Sequence, residues 1–417
     1  METNAVKVTL WGDDVGYLYW DKKQKLAVFE YAQSFLSKGL DISPFSMPIG
    51  SLRSKKGIPW IGNPEPLFVG LPPMLADSLP DKYGNSLFDA WIRENKIPSK
   101  QITPVDHLSF IGTRAMGALE FEPAKELGEL DAFDVDVEKL YLFAKDVLSA
   151  REEVTLSSEN SILWQDLIKV SSSPGGKRPK AIVAINKETN DVKSGQADVP
   201  LGWEHYILKY DDNSSYPYAK LEYVYYLMAR DAGIDIMESE LKSYAGVTHF
   251  LTKRFDRVGN EKLHMQTLAA MDPFATSYED LFAVIRQLNL KYEDIEQEYL
   301  RLVFNVLAKN VDDHTKNFAF LMDRQGVWRL SPAYDLTFSV DLSAPSYMNR
   351  HSLTVCGKDD DINLVDLLAV AKANDIKNPS LLIERVQNSV LKFEGYASDL
   401  GISKGLINQI KARLLLD

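Results

Sequence analysis

The sequence predicts an α+β chain, with a mixed α/β N-terminal part and a mainly helical C-terminal part. Three observations carry this. Runs such as VKVTL, KAIVAINK and HYILKY are rich in β-branched or aromatic residues and close on polar turns, as strands do. KLEYVYYLMARDAGI instead spaces its apolar residues as a helix does. Beyond about residue 270 the helical pattern dominates, interrupted by one hairpin at 317–331.

A chain of 417 residues exceeds one ordinary core, and the composition shifts suggest three regions, 1–125, 126–256 and 257–417. Hydrophobic content of 45% and charged content of 25% are those of a globular protein. A net charge of −12 argues against coating nucleic acid over the whole surface. One cysteine, Cys356, excludes an internal disulfide framework and fits a reducing compartment. The start, METNAVKVTLWGDD, lacks the apolar core of a secretory signal, and no stretch approaches membrane-span length. A cytoplasmic location without membrane contact is the expectation.

In chain order, VKVTLWG and VGYLYWD read as strands about a GDD turn. KLAVFEYAQSFLSKG has mixed periods, and the Gly- and Pro-rich stretch 47–73 reads as irregular. LADSLPDKYGNSLFDAWIREN is helical with an interruption at Pro80, and LSFIGTRAMGALEFEP returns to strand character. ELDAFDVDVEKLYLFAKDVLSAREE reads as an acidic amphipathic helix, SILWQDLIKV as a partly apolar strand. The loop SSSPGGKRPK leads into the strand KAIVAINK. GWEHYILKYDD is another strand, and the helix after it carries Leu221, Tyr225, Leu227 and Met228 on its apolar side. HFLTKRFDRVG runs from strand into turn.

Three constellations carry chemistry. In SSSPGGKRPK, paired glycines let backbone N–H groups approach an anion beside Lys177, Arg178 and Lys180. The bland alternative is a flexible surface loop, and the string matches neither common nucleotide-loop motif. Lys209 shares a strand face with Ile207, where a lysine needs an anionic partner. Glu222 on the next helix is a candidate; an edge lysine and a solvated glutamate are the alternatives. The third constellation is NVDDHTKNFAF, a turn between an apolar helix and the hairpin. If the hairpin arms pair, Asp335 in PAYD returns toward Asn317, and oxygen donors there suit Mg²⁺ and a polyphosphate. Turn capping by Asp312 or Asp313 is the plain alternative. A His-carboxylate metal site is weaker, because none of the six histidines stands at i, i+4 from His314.

Spacing separates the two aspartates. A kinase catalytic Asp precedes its metal-binding Asn by five positions, as Asp312 precedes Asn317 and Asp313 does not. Asp312 is therefore the expected base and Asp313 a bystander. Asp335 stands where a kinase holds its second metal aspartate, with Leu336-Thr337 replacing Phe-Gly. The order (glycine loop between strands, strand lysine, helix glutamate, strand-turn, catalytic turn, hairpin, aspartate) is that of a protein-kinase-like two-lobed fold.

SSSPGGKRPK, YILKY, KRFDR, DDHTKNF and SPAYDL together resemble the HipA family of bacterial toxin serine/threonine kinases. IGTRAMGALEF adds a likeness to the end of the HipA N-terminal region, and the resemblance is densest between residues 170 and 340. It implies ATP with Mg²⁺, the phosphates being met by Gly175, Gly176, Lys177, Arg178, Lys180 and Lys209. Lys253, Arg254 and Phe255 would form the hinge beside the adenine, and His314, Lys316 and Tyr334 would fall on the nucleotide side. Asp312 would be the base, Asn317 and Asp335 the metal ligands, and Glu222 the ion-pair partner of Lys209. It further implies autophosphorylation of the glycine-rich loop, at Ser173 by counting back from Lys180. A HipB-like helix-turn-helix antitoxin is the implied partner, with operator DNA reached mainly through it. The implied substrate class is an aminoacyl-tRNA synthetase such as glutamate–tRNA ligase. A small-molecule or lipid kinase of similar design, and a catalytically silent antitoxin-binding module, are the alternatives.

Overall fold

The computed structural model describes residues 5–80, 82–94, 96–98, 102–123, 132–149, 158–171, 178–212, 214–345 and 348–415. Its contacts divide into two compact units, each gathered from separated stretches. The first comprises Met1–Asp212, Lys242–Gln266 and Met322–Val327; the second comprises Asn213–Leu241, Thr267–Leu321 and Trp328–Asp417.

Among its described residues the first unit contains two five-stranded sheets. Strands β1 (Val6–Leu10), β2 (Asp13–Asp21), β3 (Leu26–Tyr31), β4 (Trp60–Ile61) and β5 (Leu119–Glu122) form an antiparallel sheet in the order β4-β3-β2-β1-β5. The β1–β2 turn is Trp11-Gly12, both at positive φ (53° and 85°), the backbone twist a tight hairpin requires. The acidic pair of the expected GDD turn already belongs to β2. KLAVFEYAQSFLSKG has mixed periods because it is β3 followed by a short helix, Gln33–Leu36. In the irregular stretch, Gly62 lies so close to Gly70 that an added Cβ would fall 1.8 Å from the Gly70 carbonyl oxygen.

The second sheet has the order β7-β6-β8-β10-β9, from β6 (Lys180–Asn186), β7 (Val192–Ser194), β8 (Trp203–Lys209), β9 (Ser239–Tyr244) and β10 (Val247–Lys253). β6 and β10 flank β8 in antiparallel register, so Ala181, Leu208 and Leu251 form one row and Lys180, Lys209 and Phe250 the next. Alternation puts these rows on opposite faces. The face with Leu208 belongs to a core completed by the helices Lys82–Glu94, Val137–Ser149 and Ser158–Ser171, through Phe88, Tyr141, Trp164 and Leu167 among others. β11 (Arg257–Val258) and β12 (Glu261–Lys262) then pair as a small ribbon before β13 (His264–Thr267).

Two expected strands are helices. SILWQDLIKV lies within Ser158–Ser171, where Trp164, Leu167, Ile168 and Ser171 are buried at helical spacing. The start of LSFIGTRAMG ends the helix Pro104–Ile111, and only Leu119–Glu122 is strand. That helix has a signal upstream of the string: Thr103 and Asp106 form a reciprocal capping box and Pro104 occupies the first turn.

The second unit is mainly helical. Tyr292–Leu307 is its central helix, buried at every position from Glu298 to Val306. Around it lie Tyr218–Asp231, Tyr278–Gln287, Leu364–Ala373 and Pro379–Val390. On Tyr218–Asp231, Leu221, Tyr225 and Met228 are buried as expected, whereas Leu227 is only half-buried. The hairpin is β14 (Ala319–Met322) and β15 (Trp328–Leu330).

Buried imidazoles, His249 and His264 foremost, make the first unit sensitive to acid. His249 accepts the Asp211 N–H at Nδ1 (3.0 Å) against the Tyr141 and Tyr210 rings, and His264 bonds the Ile42 carbonyl through Nε2 (2.9 Å). Burial pushes each pKa down from 6.5 to about 4. Because the folded-state values lie below the unfolded one, protonation opposes folding, and stability falls as pH drops from 6.5 toward 4. At pH 5 the loss is at most about 2 kcal/mol per histidine. In urea unfolding at pH 7.5 and 5.0, His249→Asn should therefore show a pH-dependent change that differs from the wild type by about that amount.

Candidate functional site

The turn at 310–317 is built by the end of the central helix. Lys309 adopts a left-handed conformation (φ 55°) just past Leu307 and reverses the chain. Asn310 is buried; its N–H bonds the Asn305 carbonyl (3.0 Å) and its Nδ2 the Asn305 Oδ1 (2.9 Å). The N–H groups of Val311 and Asp312 both donate to Ser339 Oγ, at 2.7 and 3.0 Å. Asn317 Nδ2 donates to the Asp312 carbonyl (2.7 Å), which leaves Oδ1 as the amide atom able to meet a cation.

The two aspartates differ sharply. The Asp312 side chain is 68% exposed, with His314 Nε2 at 3.9 Å from Oδ1. The Asp313 carboxylate is fully buried and accepts three hydrogen bonds: Tyr278 OH and His351 Nδ1 at 2.8 Å, and the Ser352 N–H at 2.7 Å. Burial and the Asp313 charge push the Tyr278 pKa well above 10, so its hydroxyl stays a donor. Asn305 Nδ2 in turn donates to that hydroxyl (2.9 Å). A continuous polar chain thus runs from Ser339 through Asn310, Asn305 and Tyr278 to Asp313 and His351. Asp313 was expected to be a bystander; it is the buried anchor of the turn.

The hairpin returns the chain to this turn. Tyr334 OH donates to the Lys316 carbonyl (2.7 Å), and Ala333 N–H to the Asp235 carbonyl (2.7 Å). Asp335 follows at φ 56°, uncommon for a non-glycine residue though aspartate tolerates it better than most. His314 Nδ1 accepts the Lys316 N–H (3.3 Å) and caps the 3₁₀ turn Thr315–Asn317. A small cavity of about 10 Å³ at the turn is lined by polar groups of Arg301, Asn305, Asn310, Asp313, Asn317 and Tyr334 and by the apolar Phe318, Ala333 and Leu336. It has room for a single water, so any nucleotide must lie outside it. No cluster of three His, Cys, Asp or Glu side chains able to cage a metal occurs among the described residues. Asn317 Oδ1 and the Asp335 carboxylate are hard oxygen donors, and Mg²⁺ commonly takes one or two such ligands beside phosphate and water.

The other candidates belong to the first unit, Glu222 excepted. Lys180 and Lys209 stand directly opposite each other on β6 and β8, with Lys209 Nζ 5.8 Å from the Phe250 ring centre. Like charges facing across a ladder disfavour the pairing. Lys253 projects from the other face of the sheet, where it pairs with Glu204, which also accepts from Tyr206 OH (2.7 Å). Arg254 is buried, binding Asp256 through Nε and Nη2 at 2.8 and 2.6 Å, and its N–H goes to the His205 carbonyl (2.9 Å). Burial would raise the Asp256 pKa, but Arg254 and Arg257 outweigh it and hold the carboxyl well below its usual range. Asp256 and Arg257 also clasp the two sides of Gly117, accepting its N–H (2.8 Å) and donating to its carbonyl (3.2 Å). KRFDR is thus a structural clamp in its charged side chains, and Phe255 is half-buried between them in sequence. Arg178 is exposed; Gly175, Gly176, Lys177 and Ser173 lie outside the described residues. Glu222 is half-buried on Tyr218–Asp231, in the second unit, whereas Lys209 is in the first.

Family models match both parts of the chain: the HipA-like C-terminal domain over residues 172–393, more than half of the length, and the HipA N-terminal domain over 6–122. The chain belongs to the HipA family. Among its relatives, a Haemophilus influenzae protein provisionally named a kinase is 26% identical over 204 residues, covering 44% of this chain and 57% of that protein. A Sinorhizobium fredii protein provisionally named kinase Y4dM is 23% identical over 230 residues, covering 49% of this chain and 54% of the other. The match therefore spans little more than half the length of either. The HipA fold itself is seen in a Shewanella oneidensis structure of HipA with HipB and operator DNA. That chain superposes with a TM-score of 0.64 at 16% identity, over 98% of this chain and 94% of its own.

Ser339, Tyr278, Asn305 and His351 escaped the sequence reading, since each reaches the turn from a distant or unremarkable segment. The burial contrast predicts very unequal stability effects. Asp312→Asn should change the unfolding free energy by no more than about 0.5 kcal/mol. Asp313→Asn turns an amide N–H₂ toward a set of three donors and should cost about 3 kcal/mol in urea unfolding.

Proposed function

We propose that this HipA-family chain is a Mg²⁺·ATP-dependent serine/threonine protein kinase, the toxin of a HipA/HipB-type pair. The observation that carries the reading is the Asp312–Asn317 arrangement. An exposed carboxylate sits on a turn fixed from beneath, and the amide five positions on is bound to that aspartate's own carbonyl. Asp312 then accepts the proton of the attacking hydroxyl as its oxygen bonds to the γ-phosphorus and the bond to ADP breaks. Asn317 and Asp335 would hold Mg²⁺, which neutralises phosphate charge when bound.

Lys180 and Lys209, with Gly175, Gly176, Lys177 and Arg178, would meet the phosphates. Because the side chains of Lys253 and Arg254 are committed elsewhere, the hinge from Lys253 to Phe255 would serve the adenine through its backbone and the Phe255 ring. His314, Lys316 and Tyr334 would line the nucleotide side. Ser171 is buried as the last residue of its helix, which favours Ser173 over it as the autophosphorylated serine. The match to a HipA solved with HipB and operator DNA supports a HipB-like antitoxin, with DNA contacted mainly through it. A translation component such as glutamate–tRNA ligase is the proposed target, in the cytoplasm.

With labelled ATP and Mg²⁺, the purified chain should acquire phosphate on residues 172–173. Asp312→Asn should slow labelling by roughly 10²- to 10⁴-fold. Undiminished labelling in that variant would refute the assignment. EDTA should abolish transfer and excess Mg²⁺ restore it; label appearing only on an organic extract would point to a small-molecule kinase.

A further inference from the structure

Ser339 lies four residues beyond Asp335, yet it touches four consecutive residues of the catalytic turn. Its Oγ accepts the N–H groups of Val311 (2.7 Å) and Asp312 (3.0 Å) and donates to Asn310 Oδ1 (3.4 Å). Its own N–H reaches the Lys309 carbonyl at 3.5 Å. A hydroxyl has one proton and two lone pairs, and here all three are used on one stretch of backbone and its flanking amide. These backbone donors belong to no helix or strand, so nothing regular would replace the bonds.

The Asp312 side chain is exposed, so its position follows from its backbone. That backbone is gripped on both sides: Ser339 takes the N–H and Asn317 Nδ2 takes the carbonyl. We propose that Ser339 is a positioning residue for Asp312, orienting the base and tying it to the segment that carries Asp335. The proton acceptor and the carboxylate assigned to the metal are then set in one frame by a single hydroxyl. This inference rests on Asp312 being the base.

The test is the rate of self-labelling from ATP in the wild type, Ser339→Ala, Ser339→Thr, Ser339→Cys and Asp312→Asn, and in the Asp312→Asn/Ser339→Ala double variant. Ser339→Ala should lower kcat by roughly 10- to 100-fold while KM for ATP stays within twofold. Ser339→Thr, which keeps the hydroxyl, should recover most of that loss. In the Asp312→Asn background the second substitution should add nothing, because a positioning residue has no group left to position. If Ser339→Ala does not fold, Ser339→Cys supplies the same comparison at similar volume with a weaker acceptor. Wild-type kcat in Ser339→Ala, or an equal further loss in the double variant, overturns the positioning role while the kinase reading stands. Full activity in Asp312→Asn, or no self-labelling by the wild type, removes the base and with it the role of Ser339.

Discussion

The buried carboxylate of Asp313 is the constraint on which the turn at 310–317 depends. A charged group with no exposure is tolerated only when its oxygens are met by donors, and here a tyrosine, a histidine and a backbone N–H meet them. Those donors come from the start of the helix Tyr278–Gln287 and from the stretch around residue 351. One carboxylate therefore joins three separated segments at the point where the central helix ends. Its neighbour Asp312 is pushed outward by the same geometry, since consecutive residues in an extended turn cannot share one direction. The exposed aspartate faces solvent because the buried one takes the inward position.

The sheet of the first unit shows how alternation sorts charge. Lys209 and Lys253 are both strand lysines, and composition cannot distinguish them. Register does: Lys209 shares its row with Lys180 and Phe250, while Lys253 lies opposite Tyr206 and joins Glu204 on the far face. The clamp of Arg254, Asp256 and Arg257 around Gly117 has a different purpose, tying the end of β10 to the chain before β5. A buried arginine with a lowered aspartate beside it is a strong device for fixing backbone, and it looks in sequence like a binding motif.

What was legible in the sequence was local. The Asp312–Asn317 spacing, the strand KAIVAINK and the hairpin after Asn317 each depend on a few consecutive residues, and the structure has the corresponding turn and strands. SILWQDLIKV was misread because its apolar residues are dense enough to fit either period over ten positions. The capping box at Thr103 was missed because it precedes the string that drew attention. The anchor role of Asp313 was illegible for a different reason: its partners stand 35 to 39 positions away. Ser339, 27 positions from Asp312, carries no motif at all.

The first unit is not finished where its first long stretch ends. It takes back β10 and the residues up to Gln266, and then a last short segment, Met322–Val327, after much of the second unit has intervened. On a ribosome, β8 therefore waits for one of its two neighbouring strands until residue 253 has emerged. At roughly 5 to 20 residues per second, completing the unit takes about 16 to 65 s of synthesis. The row of Lys180, Lys209 and Phe250 is thus completed only when β10 arrives, and a truncated chain that stops before β10 carries an unfinished sheet edge.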